Sequence, residues 1–208
     1  MSEANVLDLF AGAGGFSLGV ERAGATVLAG VDFDEQALET YDANFDHPAY
    51  NYNLAETDPA DFDAKTGIRP HMVDGIVGGP PCQGFSLSNT NRCKDDPRNN
   101  LVFRYAAYVD YYQPDWFVME NVTGIKSIDD GETIDLLYDD FHEAGYTVNH
   151  QTLNAADYGV PQKRRRVFFV GAHEDADTEV AFPEPTHAPR SELDMDTQTA
   201  EGVAFADD

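Results

Sequence analysis

Short apolar runs alternate along this chain with polar stretches of helical period. Residues 6–10 (VLDLF) are an apolar run that stops at Ala11-Gly12-Ala13-Gly14-Gly15, the pattern of a buried strand entering a tight turn. Residues 16–23 read as a helix, 25–31 as a second apolar strand ending at Asp32, and 35–44 as a helix with Ala37, Leu38 and Tyr41 at helical spacing. A strand is expected over 72–77, an aromatic helix over 101–112, a strand over 116–119 that ends at Glu120-Asn121, and a helix over 133–144. Two further strands are expected over 148–153 and 166–172. Strands alternating with helices predict an α/β domain whose mostly parallel sheet is covered on both faces. The pattern fades after Ala172. Residues 173–208 are rich in Asp, Glu, Thr and Pro, so the expected division is a domain over 1–172 and an acidic tail over 173–208 without fixed structure. Within that tail "FPEPTH" (182–187) reads as a linker.

Composition narrows the class. At 208 residues and 42% hydrophobic content, the chain can bury one real core. No apolar run reaches the roughly 18 residues of a membrane span, and the N-terminus lacks the basic start of a secretion signal. Cys82 and Cys93 are the two cysteines, too few for a disulfide framework. These features point to a cytoplasmic protein with reduced thiols and no membrane partner.

Charge changes the picture more. Thirty-eight acidic residues against thirteen basic give a net charge of -25, which by itself argues against a nucleic-acid partner. A 12% aromatic content with clear apolar periodicity excludes an acidic disordered chain. The reading that remains is a folded, halophilic protein whose carboxylate surface keeps it hydrated, with self-repulsion screened over about 3 Å at molar salt. The basic residues are gathered in two places: Arg92, Lys94, Arg98 and Arg104 after the cysteine, and Lys163, Arg164, Arg165 and Arg166 later. Ion pairing with neighbouring acids is one account of them. An anionic ligand touching both places is the other.

Four stretches carry candidate chemistry. "DLFAGAGGFSLG" (8–19) is a strand, glycine turn and helix start, where close backbone approach and free N–H groups suit a nucleotide-like ligand. Asp32 follows Gly12 by 20 residues at the end of the next strand, the place for an acid on ribose hydroxyls. Ser17 stands where the dinucleotide fingerprint has its last glycine, so the turn alone does not separate a nicotinamide cofactor from another adenosine cofactor. "GGPPCQGFS" (78–86) puts Cys82 on a corner stiffened by Pro80 and Pro81, at a strand's carboxyl end. A buried inert cysteine is the common case; polar and glycine neighbours favour an aimed thiol. "MENV" (119–122) brings Glu120 to the same sheet edge, and in "QKRRR" (162–166) alternation places Arg164 and Arg166 on one face and Arg165 on the other.

Together, and in this order, "DLFAGAGGFSLG", "GGPPCQGFS", "ENV" and "QKRRR" resemble the motifs of the cytosine-5 DNA methyltransferases, over about residues 5–172 with "FPEPTH" as a further family-like stretch. The resemblance implies a Rossmann-like fold with a seven-stranded, mostly parallel sheet, the cofactor S-adenosylmethionine, and double-stranded DNA as partner, as in restriction-modification systems. It implies no metal. Asp8, Phe10, Ala11, Gly12, Gly14, Gly15, Asp32, Phe33, Asn53 and Pro80 would bind the cofactor, with Asp32 on the ribose, Phe33 against the adenine, and Asn53 where the family often has an acid. Cys82 would be the nucleophile on carbon 6 of cytosine. Glu120 would bind the ring nitrogen and amino group, and Arg164 and Arg166 would hold the ring oxygen and orient Cys82 or Glu120. Residues 92–98 would belong to a loop closing over DNA.

The family's target-recognition region and final segment have no counterpart here, so a truncated product or a second chain supplying them is expected. Three alternatives stay beside the main reading: the same chemistry on transfer RNA, an inactive remnant or cofactor-binding module, and a nicotinamide oxidoreductase, which leaves "PPCQ" unexplained.

Overall fold

The structure, a computed structural model, describes residues 3–81, 101–189 and the two-residue strand at 205–206. Seven strands form one sheet: β1 (Asn5–Leu9), β2 (Thr26–Asp32), β3 (Ala49–Asn51), β4 (Gly75–Gly78), β5 (Trp116–Val122), β6 (Tyr146–Asn154) and β7 (Arg165–His173). Their order is β3-β2-β1-β4-β5-β7-β6. All neighbouring pairs are parallel except those of β7, which runs antiparallel to both β5 and β6. The expected mostly parallel seven-stranded α/β sheet is the one observed.

Alternation along the strands decides which helices meet which face. Leu7, Leu9, Ala29, Val31, Ile76, Phe117, Met119, Val167 and Phe169 point into the main core. There they meet α3 (Pro59–Thr66), α4 (Leu101–Tyr112) and α5 (Glu132–Glu143). The intervening Asp8 and Gly30 face the other side, under α1 (Gly15–Arg22) and α2 (Glu35–Asp42). α2 starts where expected because Asp34 caps it, its Oδ1 accepting from the Gln36 and Ala37 amides.

α4 is the central beam. Tyr105, Tyr108 and Tyr112 are all buried, and each hydroxyl donates to a backbone carbonyl: Tyr105 to Ile76 and Val118, Tyr108 to Thr57, Tyr112 to Ile68. Burial raises all three phenols above their ordinary range, so they stay neutral donors worth about 1 kcal/mol each net.

Several elements differ from expectation. β3 and α3 were not expected at all. β1 ends at Leu9 instead of Phe10, because Phe10 takes φ 57 and begins the turn. β4 is confined to Gly75–Gly78, with Pro70–Met72 forming a 3₁₀ turn in place of a strand start. β5 continues through Glu120 and Asn121 to Val122, since β7 pairs with it over its whole length. "FPEPTH" has no regular element, but it is anchored. The Thr186 and His187 amides donate to the Asp157 carbonyl, and the Tyr158 hydroxyl donates to the Pro183 carbonyl. Ala188–Pro189 (β8) then pairs with Phe205–Ala206 (β9). The start of the expected structureless tail is therefore held to the domain by backbone hydrogen bonds, while 190–204 and 207–208 lie outside the described residues.

Candidate active site

The chain order reverses at β1, which has β2 on one side and β4 on the other. Ligand crevices in open α/β sheets form beyond the carboxyl ends at such a point. The candidate residues gather there in two groups.

The first group surrounds a cavity of about 280 Å³ lined by Phe10, Asp32, Phe33, Tyr52, Asn53, Leu54, Ala55 and Leu101, near the lower end for small-molecule sites. Asp32 closes β2 with a carboxylate set by backbone donors. Its Oδ1 accepts from the Phe33 (2.8 Å) and Asp34 (2.9 Å) amides, and its Oδ2 accepts from the Gly12 amide at 2.8 Å. The glycine turn is thus tied to β2 by the acid itself. Gly14 caps α1 at φ 93, where a Cβ would run into the Phe45 ring, so glycine is required there on both counts. Phe10 at φ 57 is strained for an aromatic residue, and such strain concentrates at ligand sites. Phe33 is 55% exposed beside the cavity, an apolar ring open for stacking. Asn53 folds its own turn, with Oδ1 accepting from the Ala55 amide.

Of the residues expected on the cofactor, Phe10, Asp32, Phe33 and Asn53 line this cavity, and Asp8, Ala11, Gly12, Gly14, Gly15 and Pro80 do not. Alternation puts Asp8 beneath α1, fully buried, with Oδ2 accepting from the Ser17 amide (3.0 Å) and hydroxyl (2.7 Å). Its Oδ1 is buried without a partner among the described residues. The Ser17 hydroxyl continues to Tyr41 and Tyr41 to His47, which faces Glu21. Burial pushes the Asp8 carboxyl up to about 7, against the Ser17 hydrogen bonds and with a small push from Asp32.

The folded state holds this proton where the unfolded chain has released it, so the contribution of Asp8 to stability is fully present below about pH 4 and is lost as pH rises through about 7, by about 4 kcal/mol. Burial holds His47 and His150 below the ordinary imidazole range, which gives the opposite slope. Denaturant unfolding of wild type and Asp8→Asn between pH 5 and 8 isolates Asp8: wild type loses stability relative to the variant as pH rises. A constant difference across that range would show that Asp8 does not titrate there.

The second group is built by the antiparallel β7, which starts where β5 ends. Val122 pairs with Arg166 and Glu120 with Phe168, so Arg166 lies diagonal to Glu120 on one face. Arg166 Nε reaches Glu120 Oε1 at 3.1 Å and Arg164 Nη2 reaches the same oxygen at 3.2 Å. Arg165, on the opposite strand face from Arg166, lies at the start of β7 and is exposed. The other oxygen, Oε2, would stand 3.3 Å from a Cβ at Gly79, which places the carboxylate against the corner. Asn121 locks that corner: nearly fully buried, it donates from Nδ2 to the Pro80 carbonyl at 3.0 Å. Sequence reasoning flagged "ENV" for its glutamate and missed this role of the asparagine.

Cys82 and the basic residues Arg92, Lys94 and Arg98 lie outside the described residues, as does Cys93. Gly79 stands against Glu120, and Pro80, two residues before Cys82, is bonded by the neighbouring Asn121. Arg104 does not behave as one of a basic patch: it bonds the Leu54 and Thr57 carbonyls and Asp58. Tyr52, Leu54, Ala55 and Leu101 are cavity residues that no motif announced.

A family model for C-5 cytosine-specific DNA methylase matches residues 4–204. Type II methyltransferase M1.HphI of Haemophilus parahaemolyticus is 42% identical over 184 residues, covering 87% of this chain and 48% of that protein. Type II methyltransferase M.DdeI of Desulfomicrobium norvegicum is 44% identical over 177 residues, covering 82% and 41%. The chain thus spans less than half the length of these curated relatives. A prophage-encoded E. coli protein of known structure superposes with a TM-score of 0.72 at 32% identity, covering 86% of this chain and 49% of that one. Spodoptera frugiperda DNMT2, at 24% identity and a TM-score of 0.66, shares the fold over 84% of this chain and 51% of its own. The seven-stranded α/β sheet agrees with these matches. The chain belongs to the C-5 cytosine-specific DNA methylase family.

Proposed function

We propose that this chain is the cofactor-binding and catalytic part of a DNA cytosine-5 methyltransferase of the modification type. The observation that carries the reading is the Glu120 carboxylate, held by Arg164 and Arg166 against the glycine–proline corner that leads into Cys82.

The cavity fits the adenosine part of S-adenosylmethionine. Asp32 Oδ2 has one donor from Gly12 and can accept a ribose hydroxyl. Phe33 and Phe10 offer apolar rings, and Asn53 keeps its Nδ2 as a donor on the same wall. When bound, S-adenosylmethionine supplies an electrophilic methyl group. The chain's own residues prepare the cytosine. The Cys82 thiolate adds to carbon 6, which makes carbon 5 electron-rich. Glu120 accepts from the cytosine amino group beside the ring nitrogen where charge changes, held in place by the two guanidiniums. Arg164, half exposed, can also donate to the ring oxygen. Loss of the carbon-5 proton to a base and expulsion of the thiolate restore the aromatic ring. The cytosine must leave the duplex to be reached, at a cost of a few kcal/mol. Arg92, Lys94 and Arg98, in one of the two places where basic residues gather, supply phosphate contacts.

The net charge of -25 supports a salt-rich cytoplasm as the working medium. A covalent trap tests function and medium together. The chain is incubated with S-adenosylmethionine and DNA carrying 5-fluorocytosine, at low and molar KCl. Fluorine at carbon 5 blocks the final elimination, so an adduct mapped to Cys82 is expected with DNA and is larger at molar KCl. An adduct with a fluorocytosine-bearing transfer RNA alone would move the substrate to RNA. No adduct on either nucleic acid, with the complementary half of a relative added in trans, would remove the catalytic reading. Equal yields at both salts would remove the salt-adapted one.

A further inference from the structure

We infer that Arg104 is a positioning residue for the cofactor cavity, and not a nucleic-acid contact as its place in the sequence implied; the inference rests on the cofactor reading above. Leu101, Arg104 and Tyr108 recur at helical spacing and form one stripe along α4. That stripe faces the turn over 52–58. Leu101 lines the cavity. Arg104 Nε donates to the Leu54 carbonyl at 3.1 Å, and Nη2 donates to the Thr57 carbonyl at 2.7 Å and meets Asp58 Oδ1 at 3.1 Å. The Tyr108 hydroxyl donates to the same Thr57 carbonyl at 3.0 Å.

The turn needs these donors. Its inner bonds are its own: the Asn53 carbonyl accepts from the Glu56 and Thr57 amides, and the Asn53 side chain accepts from Ala55. The Leu54 and Thr57 carbonyls are turned away from that closure and receive α4. Because Asn53, Leu54 and Ala55 are a wall of the cavity, the position of the guanidinium fixes where the wall stands. A planar fork can serve two carbonyls and a carboxylate at once; an ammonium on a flexible stem cannot hold all three in one geometry. The arginine's side chain is only 24% exposed, so it has little surface left for a phosphate. One residue further on, Tyr105 pins the same helix beneath Ile76 and Val118, next to the corner. α4 therefore holds the cofactor wall and the catalytic corner in one register, and Arg104 is its bond to the wall.

The test measures S-adenosylmethionine affinity by calorimetry and DNA affinity by anisotropy of a labelled duplex, on the whole chain in molar KCl. Arg104→Met keeps length and removes the fork; the expected result is roughly a tenfold weaker cofactor and DNA affinity within twofold. Arg104→Lys is expected to recover part of the loss at an unchanged cofactor-free melting temperature, which a general loss of stability would not do. Tyr108→Phe, removing the other donor to Thr57, should weaken the cofactor about two- to threefold and keeps the question answerable if the methionine variant fails to fold. Unchanged cofactor affinity in these variants, or a loss of DNA affinity alone, overturns the inference while the cofactor reading stands. A wild-type chain that binds no S-adenosylmethionine overturns both.

Discussion

Cys82→Ala forms no adduct with fluorocytosine DNA and binds S-adenosylmethionine as wild type does. The two halves of this expectation have separate physical grounds. Carbon 5 of cytosine becomes reactive when a thiolate adds at carbon 6, and alanine offers nothing that can add, so the loss is complete and not a matter of degree. Cofactor binding survives because the cavity is built from Phe10 after β1, Asp32 and Phe33 at the end of β2, the turn over 52–58 and the first residue of α4. Among the described residues, none that lines it lies in the cysteine corner. Adduct formation by the alanine variant, or its appearance at Cys93 in wild type, would remove Cys82 from the mechanism. Loss of cofactor affinity in Cys82→Ala would instead show that the corner and the cavity are one unit.

Glu120→Gln lowers the rate of adduct formation by about 10²–10³-fold while leaving the fold intact. The amide has the carboxylate's shape, and its oxygen can still accept from Arg164 or Arg166. It cannot balance two guanidiniums that both reach one oxygen at 3.1 and 3.2 Å. An uncompensated pair of like charges is thereby left at the end of β5. The variant also replaces an acceptor with an NH₂ group on the side nearest Gly79, where the carboxylate would meet the cytosine amino group. Measured rates of the trap reaction for Glu120→Gln within threefold of wild type would take Glu120 out of the chemistry and leave it a partner for the arginines.

Much of this arrangement was legible in the sequence, for identifiable reasons. Strong apolar runs at 25–31 and 166–172 announced strands because burial on both faces leaves no room for polar residues. The arginine alternation could be read because a strand has a fixed period of two. What escaped were features set by partners far along the chain. β3 is three residues long and carries no pattern of its own; it exists because Gly30, Val31 and Asp32 offer it an edge. α3 shows Phe62 and little else on its apolar face. The strand through "MENV" looked finished at Met119 because Glu120 and Asn121 are polar, yet β7 carries it on to Val122. Asp8 was placed on the cofactor by its motif, whereas the strand's alternation turns it inward under Ser17. Proximity in sequence groups Arg104 with Arg92, Lys94 and Arg98, whereas its bonds run to the turn over 52–58. Hydrogen-bond partners 46 to 50 residues away leave no local signature.

The antiparallel β7 has a consequence for how the enzyme comes into being. Glu120 and its arginines are 44 and 46 residues apart in sequence. They meet only when β7 fills the gap between β5 and β6. Contacts of such separation are slow to form, because loop closure comes before any reward. Until that insertion, β5 presents an open edge and Glu120 faces water without its cations. On the catalytic reading proposed above, a chain in which β7 has not yet paired with β5 lacks the cluster of Glu120 and its arginines, and the pairing that assembles this cluster is the one that covers the open edge of β5.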